Sequence, residues 1–84
     1  MKYLVETTEE QYLLLRPLLT EFDRGGTSTQ TGPCAFEIDI ARDGSNLDVI
    51  KVLFSAIRAG QVKKFTVWEE DGSVLSASRY EGKP

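Results

Sequence analysis

The chain has no histidine, a single cysteine, three prolines and one tryptophan in 84 residues. The first two scarcities each narrow the functions open to it. Without histidine it lacks the commonest general base and metal ligand, so no Ser-His or Cys-His arrangement can be drawn and conventional hydrolase chemistry is excluded. One cysteine, Cys34, cannot close an internal disulfide, and small secreted domains usually need several; a reducing cytoplasm is the expected location. No base or cation stands beside Cys34 in sequence, so it reads as a small inert residue at the start of a strand. No apolar run approaches the roughly 18 residues of a membrane span, and the start Met-Lys-Tyr-Leu-Val-Glu lacks the apolar stretch of a signal peptide, so no membrane partner is expected.

What is present is ordinary globular composition, 40% hydrophobic and 27% charged, which predicts one compact domain over residues 1–84. Ten Lys and Arg against thirteen Asp and Glu give a net charge of −3, contrary to the positive balance that nucleic-acid binders usually need. The excess of acid lies in the first half of the chain.

Ala35 to Arg42 alternates Phe36, Ile38 and Ile40 with Glu37 and Asp39, the period of a strand with one core side and one carboxylate side. A strand buried on both faces would be apolar throughout, so this one belongs to a sheet covered on a single face. Lys2–Glu6 is a second strand candidate. Thr7 stands three residues before Glu10, the spacing of a capping box, and predicts a helix whose core stripe is Tyr12, Leu15, Leu19 and Phe22, widened by Leu14 and Leu18. Pro17 predicts a kink in it, or a stop near Leu15 followed by a new turn.

Residues 23–33, Asp-Arg-Gly-Gly-Thr-Ser-Thr-Gln-Thr-Gly-Pro, read as a mobile loop. Its glycines do not make a phosphate cradle, since the Lys-Ser or Lys-Thr ending is missing and a helix precedes it. Ser45 and Asp48 repeat the capping spacing before a second helix with the stripe Leu47, Ile50, Leu53, Phe54 and Ile57, stopped by Gly60. Lys63–Glu70 and Ser73–Tyr80 flank Asp71-Gly72, the pair suited to a two-residue hairpin turn. The expected fold is therefore α+β, a two-layer sandwich in the order β-α-β-α-β-β. Two helices would cover one face of a four-stranded mixed sheet with a C-terminal hairpin, the first two strands running parallel if they share the sheet.

With Asp71-Gly72 at the centre of the turn, Trp68 pairs with Leu75, Thr66 with Ala77 and Phe65 with Ser78. Trp68, Leu75 and Ala77 then share the open face with Glu37, Asp39, Leu4 and Arg79. An indole beside leucines, ringed by carboxylates and one arginine, has the make-up of a protein interface. A bulge of one residue would instead return Trp68 to the core, and the tail from Tyr80 could cover the patch. Glu37 and Asp39, some 7 Å apart on one strand side, could share a divalent cation if Glu6 approached, but an ordinary solvated face explains them better, so no metal or cofactor is assigned. Glu69-Glu70-Asp71 reads as charge protecting a strand edge.

Two functions follow. The first is a small acidic non-enzymatic binding module, an inhibitor or regulator docking on a larger protein, with a basic nucleic-acid-handling surface as its target and Glu37, Asp39, Trp68, Leu75, Arg79 and Leu4 as contacts. In size and charge the chain is similar to phage anti-CRISPR and toxin-immunity proteins, which implies a phage or mobile-element setting; no residue motif carries that similarity. The second is a sheet-face binder of single-stranded RNA, with Trp68 and Tyr80 stacking on bases and Lys63, Lys64 and Arg79 holding phosphates. The segment Lys64–Trp68 lacks the glycine and spaced aromatics of the RNA-recognition motif, the expected element order differs from β-α-β-β-α-β, and Glu37 with Asp39 repels phosphate. An open sheet edge also allows self-association.

Overall fold

The computed structural model describes residues 1–41 and 45–78, apart from the side chain of Ser45. The elements run β1 (Lys2–Thr7), α1 (Glu9–Thr20), β2 (Thr29–Gly32), β3 (Ala35–Asp39), α2 (Ser45–Arg58), β4 (Val62–Trp68) and β5 (Val74–Ser78). The broad class is the expected α+β, but among the described residues the sheet has five strands, not four, in the order β2-β3-β1-β4-β5. Every pairing is antiparallel, so the sheet is not mixed.

The extra strand is β2, inside the segment expected to be a mobile loop. Its Thr-Gln-Thr-Gly has no apolar side to betray it, because it lies at the sheet edge against β3. Asp23 and Arg24 are also held along β3: Asp23 bridges Ile40, its carboxylate accepts from the Asp39 amide at 3.1 Å, and the Arg24 amide donates to the Asp39 carbonyl. Inserting β2 reverses the chain once more, so β1 and β3 run antiparallel where a direct crossover would have made them parallel. The first six elements thus form two interleaved split β-α-β units, the ferredoxin-like topology, with β5 added at one edge.

One hydrophobic cluster joins the helices to a single sheet face: Tyr3 and Val5 of β1, Phe36 and Ile38 of β3, Val62, Phe65 and Val67 of β4, Leu15 and Leu19 of α1, and Val49, Leu53 and Ala56 of α2. Edge-on ring contacts, Tyr12 with Phe36 and Phe54 with Phe65, fasten one helix to each half of the sheet. Val62 and Phe65 both reach this face although three residues apart. A bulge permits it, since Glu6 pairs with Lys64 but Thr7 with Val62, leaving Lys63 as the extra residue.

The stripe expected for α1 is the buried one, with Leu15 and Leu19 in the core and Tyr12 and Phe22 packed against it, but its widening is not found. Leu14 is 65% exposed and Leu18 is also exposed, so neither widens the α1 core stripe. Arg16 donates to Ser28 Oγ at 2.6 Å and to the Tyr12 hydroxyl at 2.7 Å, holding that flank of α1 to the segment just before β2. In α2, Leu47 is 64% exposed and Phe54 is exposed, while Val49 and Ala56 take core positions. α1 is continuous through Pro17. Its cap is Thr8, whose Oγ accepts from the Gln11 amide; Thr7 is the last residue of β1 and donates to the carbonyls of Thr8 and Cys34. The capping role expected of the Ser45 side chain lies outside the described residues. Gly60, at φ +77°, ends α2 as expected, with Gly60 N–H bonded to the Ile57 carbonyl and Gln61 N–H to that of Ala56.

The hairpin differs by one residue in register. Gly72 has φ +93°, its N–H donates to the Glu69 carbonyl, and Glu69 N–H donates to the Ser73 carbonyl, so the loop is the three residues Glu70–Gly72. Trp68 therefore pairs with Val74, Thr66 with Ser76 and Phe65 with Ala77. Leu75 pairs with Val67 and moves, with Ala77, to the helix face. No described helix is long and apolar enough to cross a membrane.

Candidate functional site

The face away from the helices can be laid out in rows from the strand registers. One row runs Asp39, Lys2, Trp68, Val74; the next Thr29, Glu37, Leu4, Thr66, Ser76; the third Ala35, Glu6, Lys64, Ser78. Alternation dictates which residues appear there, because each core residue of β1, β3 and β4 is flanked by one of these.

At one corner this face sinks into a depression of about 440 Å³ lined by Lys2, Arg24, Glu37, Asp39, Trp68 and Glu70, with Met1 and Glu69 beside them. Trp68 is 36% exposed there, and its neighbour Val74 is 58% exposed. Charges close the rim in pairs. Lys2 Nζ lies 3.7 Å from Glu37 Oε1, and Arg24 Nη2 lies 3.1 Å from Glu70 Oε1 and 3.8 Å from Asp39 Oδ1. Arg24 Nη2 also donates to the Ile40 carbonyl at 3.3 Å, and the Met1 amino nitrogen to the same carbonyl at 2.8 Å. Among the described residues the rim thus has four carboxylates, Glu37, Asp39, Glu69 and Glu70, against Lys2, Arg24 and the Met1 amino group, which lies 3.6 Å from Asp39 Oδ1 and 3.7 Å from Glu70 Oε1.

Of the residues singled out from sequence, Glu37, Asp39 and Trp68 converge on this depression. Leu4 lies on the same face between Glu37 and Thr66 and is half-buried. Leu75 does not belong to it: the three-residue turn puts it on the helix face, 45% exposed. Arg79 and Tyr80, and any cover from the tail that follows, lie outside the described residues. Arg24, Lys2 and Glu70 were missed. Lys2 stands where alternation puts it, but Arg24 and Glu70 reach the corner only through the docking of Asp23 on β3 and the shape of the turn, which no local pattern announces.

Glu37 and Asp39 each have cationic partners, and Glu6 stands a row away opposite Ala35 and Lys64. Among the described residues no three ligating side chains cluster. The carboxylates are thus arranged as a rim of ion pairs. Lys64 shares the open face, separated from Trp68 by Thr66, while Lys63 sits in the bulge at the far end of β4. No protein-family model, curated protein or solved structure matches the chain.

Proposed function

We propose that this protein is a small non-enzymatic binding module that docks its open sheet face on a larger protein, as an inhibitor or regulator does. The observation that carries the reading is the position of Trp68: partly exposed on the face opposite the helices, beside exposed Val74, inside a rim of ion-paired side chains. A large amphipathic ring that gives up little conformational freedom, surrounded by charge that excludes water, is the composition of an energetic hot spot. The acidic lean of the rim favours a basic surface on the partner, including one that otherwise receives nucleic acid. A cytoplasmic setting belongs to the same proposal, consistent with the lone, half-buried Cys34.

The β-α-β-β-α-β order of the first six elements removes one objection to the alternative, a sheet-face binder of single-stranded RNA using Trp68, Lys63, Lys64 and Arg79. The charge pattern disfavours it. The open faces of the central strands present Glu37 and Asp39 on β3 and Glu6 on β1, where phosphates would pass.

The test is affinity capture from the native host with wild-type protein, Trp68→Ala and the double variant Glu37→Lys with Asp39→Lys, the recovered partner then being titrated against each purified form. Loss of a hot-spot indole weakens binding by roughly thirtyfold or more. Equal affinity for all three forms would exclude this face. A salt-sensitive quenching of Trp68 fluorescence by single-stranded RNA, without a protein partner, would select the alternative.

A further inference from the structure

The two edges of the sheet are treated differently by the chain. β2 is four residues long, loses register between Gln30 and Gly32, is followed by Pro33, and has Arg16 clasping Ser28 at its start. Those are the devices by which proteins blunt an edge. β5, Val-Leu-Ser-Ala-Ser, is one residue longer and lacks the others: it has no charge, no proline and an unbroken register with β4. Among the described residues no strand pairs with its outer side.

Ladder geometry says which groups are left over. Glu69 N–H donates to the Ser73 carbonyl, so by alternation Leu75 and Ala77 turn their backbone groups to β4, and Val74, Ser76 and Ser78 turn theirs outward. Apolar side chains flank this row on both faces: Val74 on the open side, Leu75 on the helix side, and Phe54 over Phe65, the cross-strand neighbour of Ala77.

We infer that β5 takes the β5 of a second copy of this chain, antiparallel about a two-fold axis at Ser76, making a continuous ten-stranded sheet. The register is self-complementary. Ser76 faces its own copy, Val74 faces Ser78 on the open side, and Leu75 faces Ala77 on the helix side, so outward-turned backbone groups meet each other and side-chain faces match. A residue on a two-fold axis meets itself, and a charge there would repel; serine can hydrogen-bond to serine instead. The absence of charge from Val74–Ser78 is what such an axis requires. A contact of five residues is small beside the area of a stable dimer, so the assembly is weak and concentration-dependent.

Sedimentation or light scattering from micromolar to millimolar protein tests it, with Ser76→Lys, Ser76→Pro, Trp68→Ala and Leu14→Ala as variants. Wild type is expected to pass from monomer to dimer, Trp68→Ala and Leu14→Ala to follow it, and Ser76→Lys to weaken association by roughly tenfold or more, because two lysines then face each other. Ser76→Pro is expected to be monomeric with an unchanged circular dichroism spectrum, since the N–H it removes is an outward one and the hydroxyl lost with it makes one 3.3 Å contact with Thr66 Oγ1. A wild type that stays monomeric at millimolar concentration, or a Ser76→Lys protein that dimerises as well as wild type, overturns the inference. So does a dimer dissolved by Trp68→Ala or Leu14→Ala, which would put the contact on another face.

Discussion

The hydroxyl of Tyr3, fully buried at the centre of the sheet, donates to Oδ1 of Asn46 at 2.8 Å, tying β1 to the first turn of α2 across forty-three residues. Burial, with a smaller contribution from the charge of Glu69, pushes the phenol up from 10.0 to about 12. The unfolded chain ionises this group first. Its contribution to stability is therefore whole below pH 10 and falls as the pH rises through 12. Chemical denaturation across that range should show an alkaline loss that Tyr3→Phe reduces, while Tyr3→Phe costs about 1 kcal/mol at neutral pH through the lost hydrogen bond.

Substitution of leucines tests the exposed position of Leu14, which the sequence suggests widens the α1 core stripe, against a leucine that is buried. Leu53→Ala empties a fully buried position and is expected to cost about 2–5 kcal/mol. Leu14→Ala removes an exposed side chain, and a change within about 0.5 kcal/mol is expected. Comparable losses for the two in urea melts would mean that α1 is rotated from its position here.

The turn supplies a third test. Gly72 adopts φ +93° with open space where a Cβ would stand, so Gly72→Ala meets no clash and its whole cost is backbone, about 1–2 kcal/mol. Gly72→Asn should recover part of it, because asparagine tolerates this conformation. If alanine is neutral in thermal melts, the hairpin has a different turn.

Arg24 is held by the Ile40 carbonyl, Glu70 and Asp39 at the rim of the depression. These contacts are half exposed, so Arg24→Ala is expected to cost less than about 1 kcal/mol, and the difference should shrink in concentrated salt. A larger, salt-independent loss would show that Arg24 is needed for the Asp23 segment to dock at all.

How much of this was legible depended on how many solutions each local pattern allowed. The alternation of Phe36, Glu37, Ile38 and Asp39 admits one orientation, and the acid-bearing open face follows from it. On α1 the stripe Tyr12, Leu15, Leu19 and Phe22 is the one buried, but Leu13, Leu14 and Leu18 carry the apolar arc past half the circumference, so nothing local marks where the core ends, and Leu14 and Leu18 lie outside it. Asp71-Gly72 suits a two-residue turn and equally the last two positions of a three-residue one, and that single residue decides which face Leu75 occupies. β2 was hidden because an edge strand gains its stability from the backbone ladder with β3, and Thr29, Gln30 and Thr31 have no core to signal. Trp68 kept the face assigned to it, since its parity within β4 relative to Phe65 and Val67 does not depend on the turn.

β1 lies in the middle of the sheet, bonded to β3 on one side and β4 on the other. As the chain leaves the ribosome, its first strand must wait for Val62–Trp68 before its second flank is filled, and neither split unit can close without a strand from the other. Formation of the sheet is thereby one event governed by distant pairings and slow to nucleate, and until it happens the apolar side of β1 is open to whatever else the cell offers.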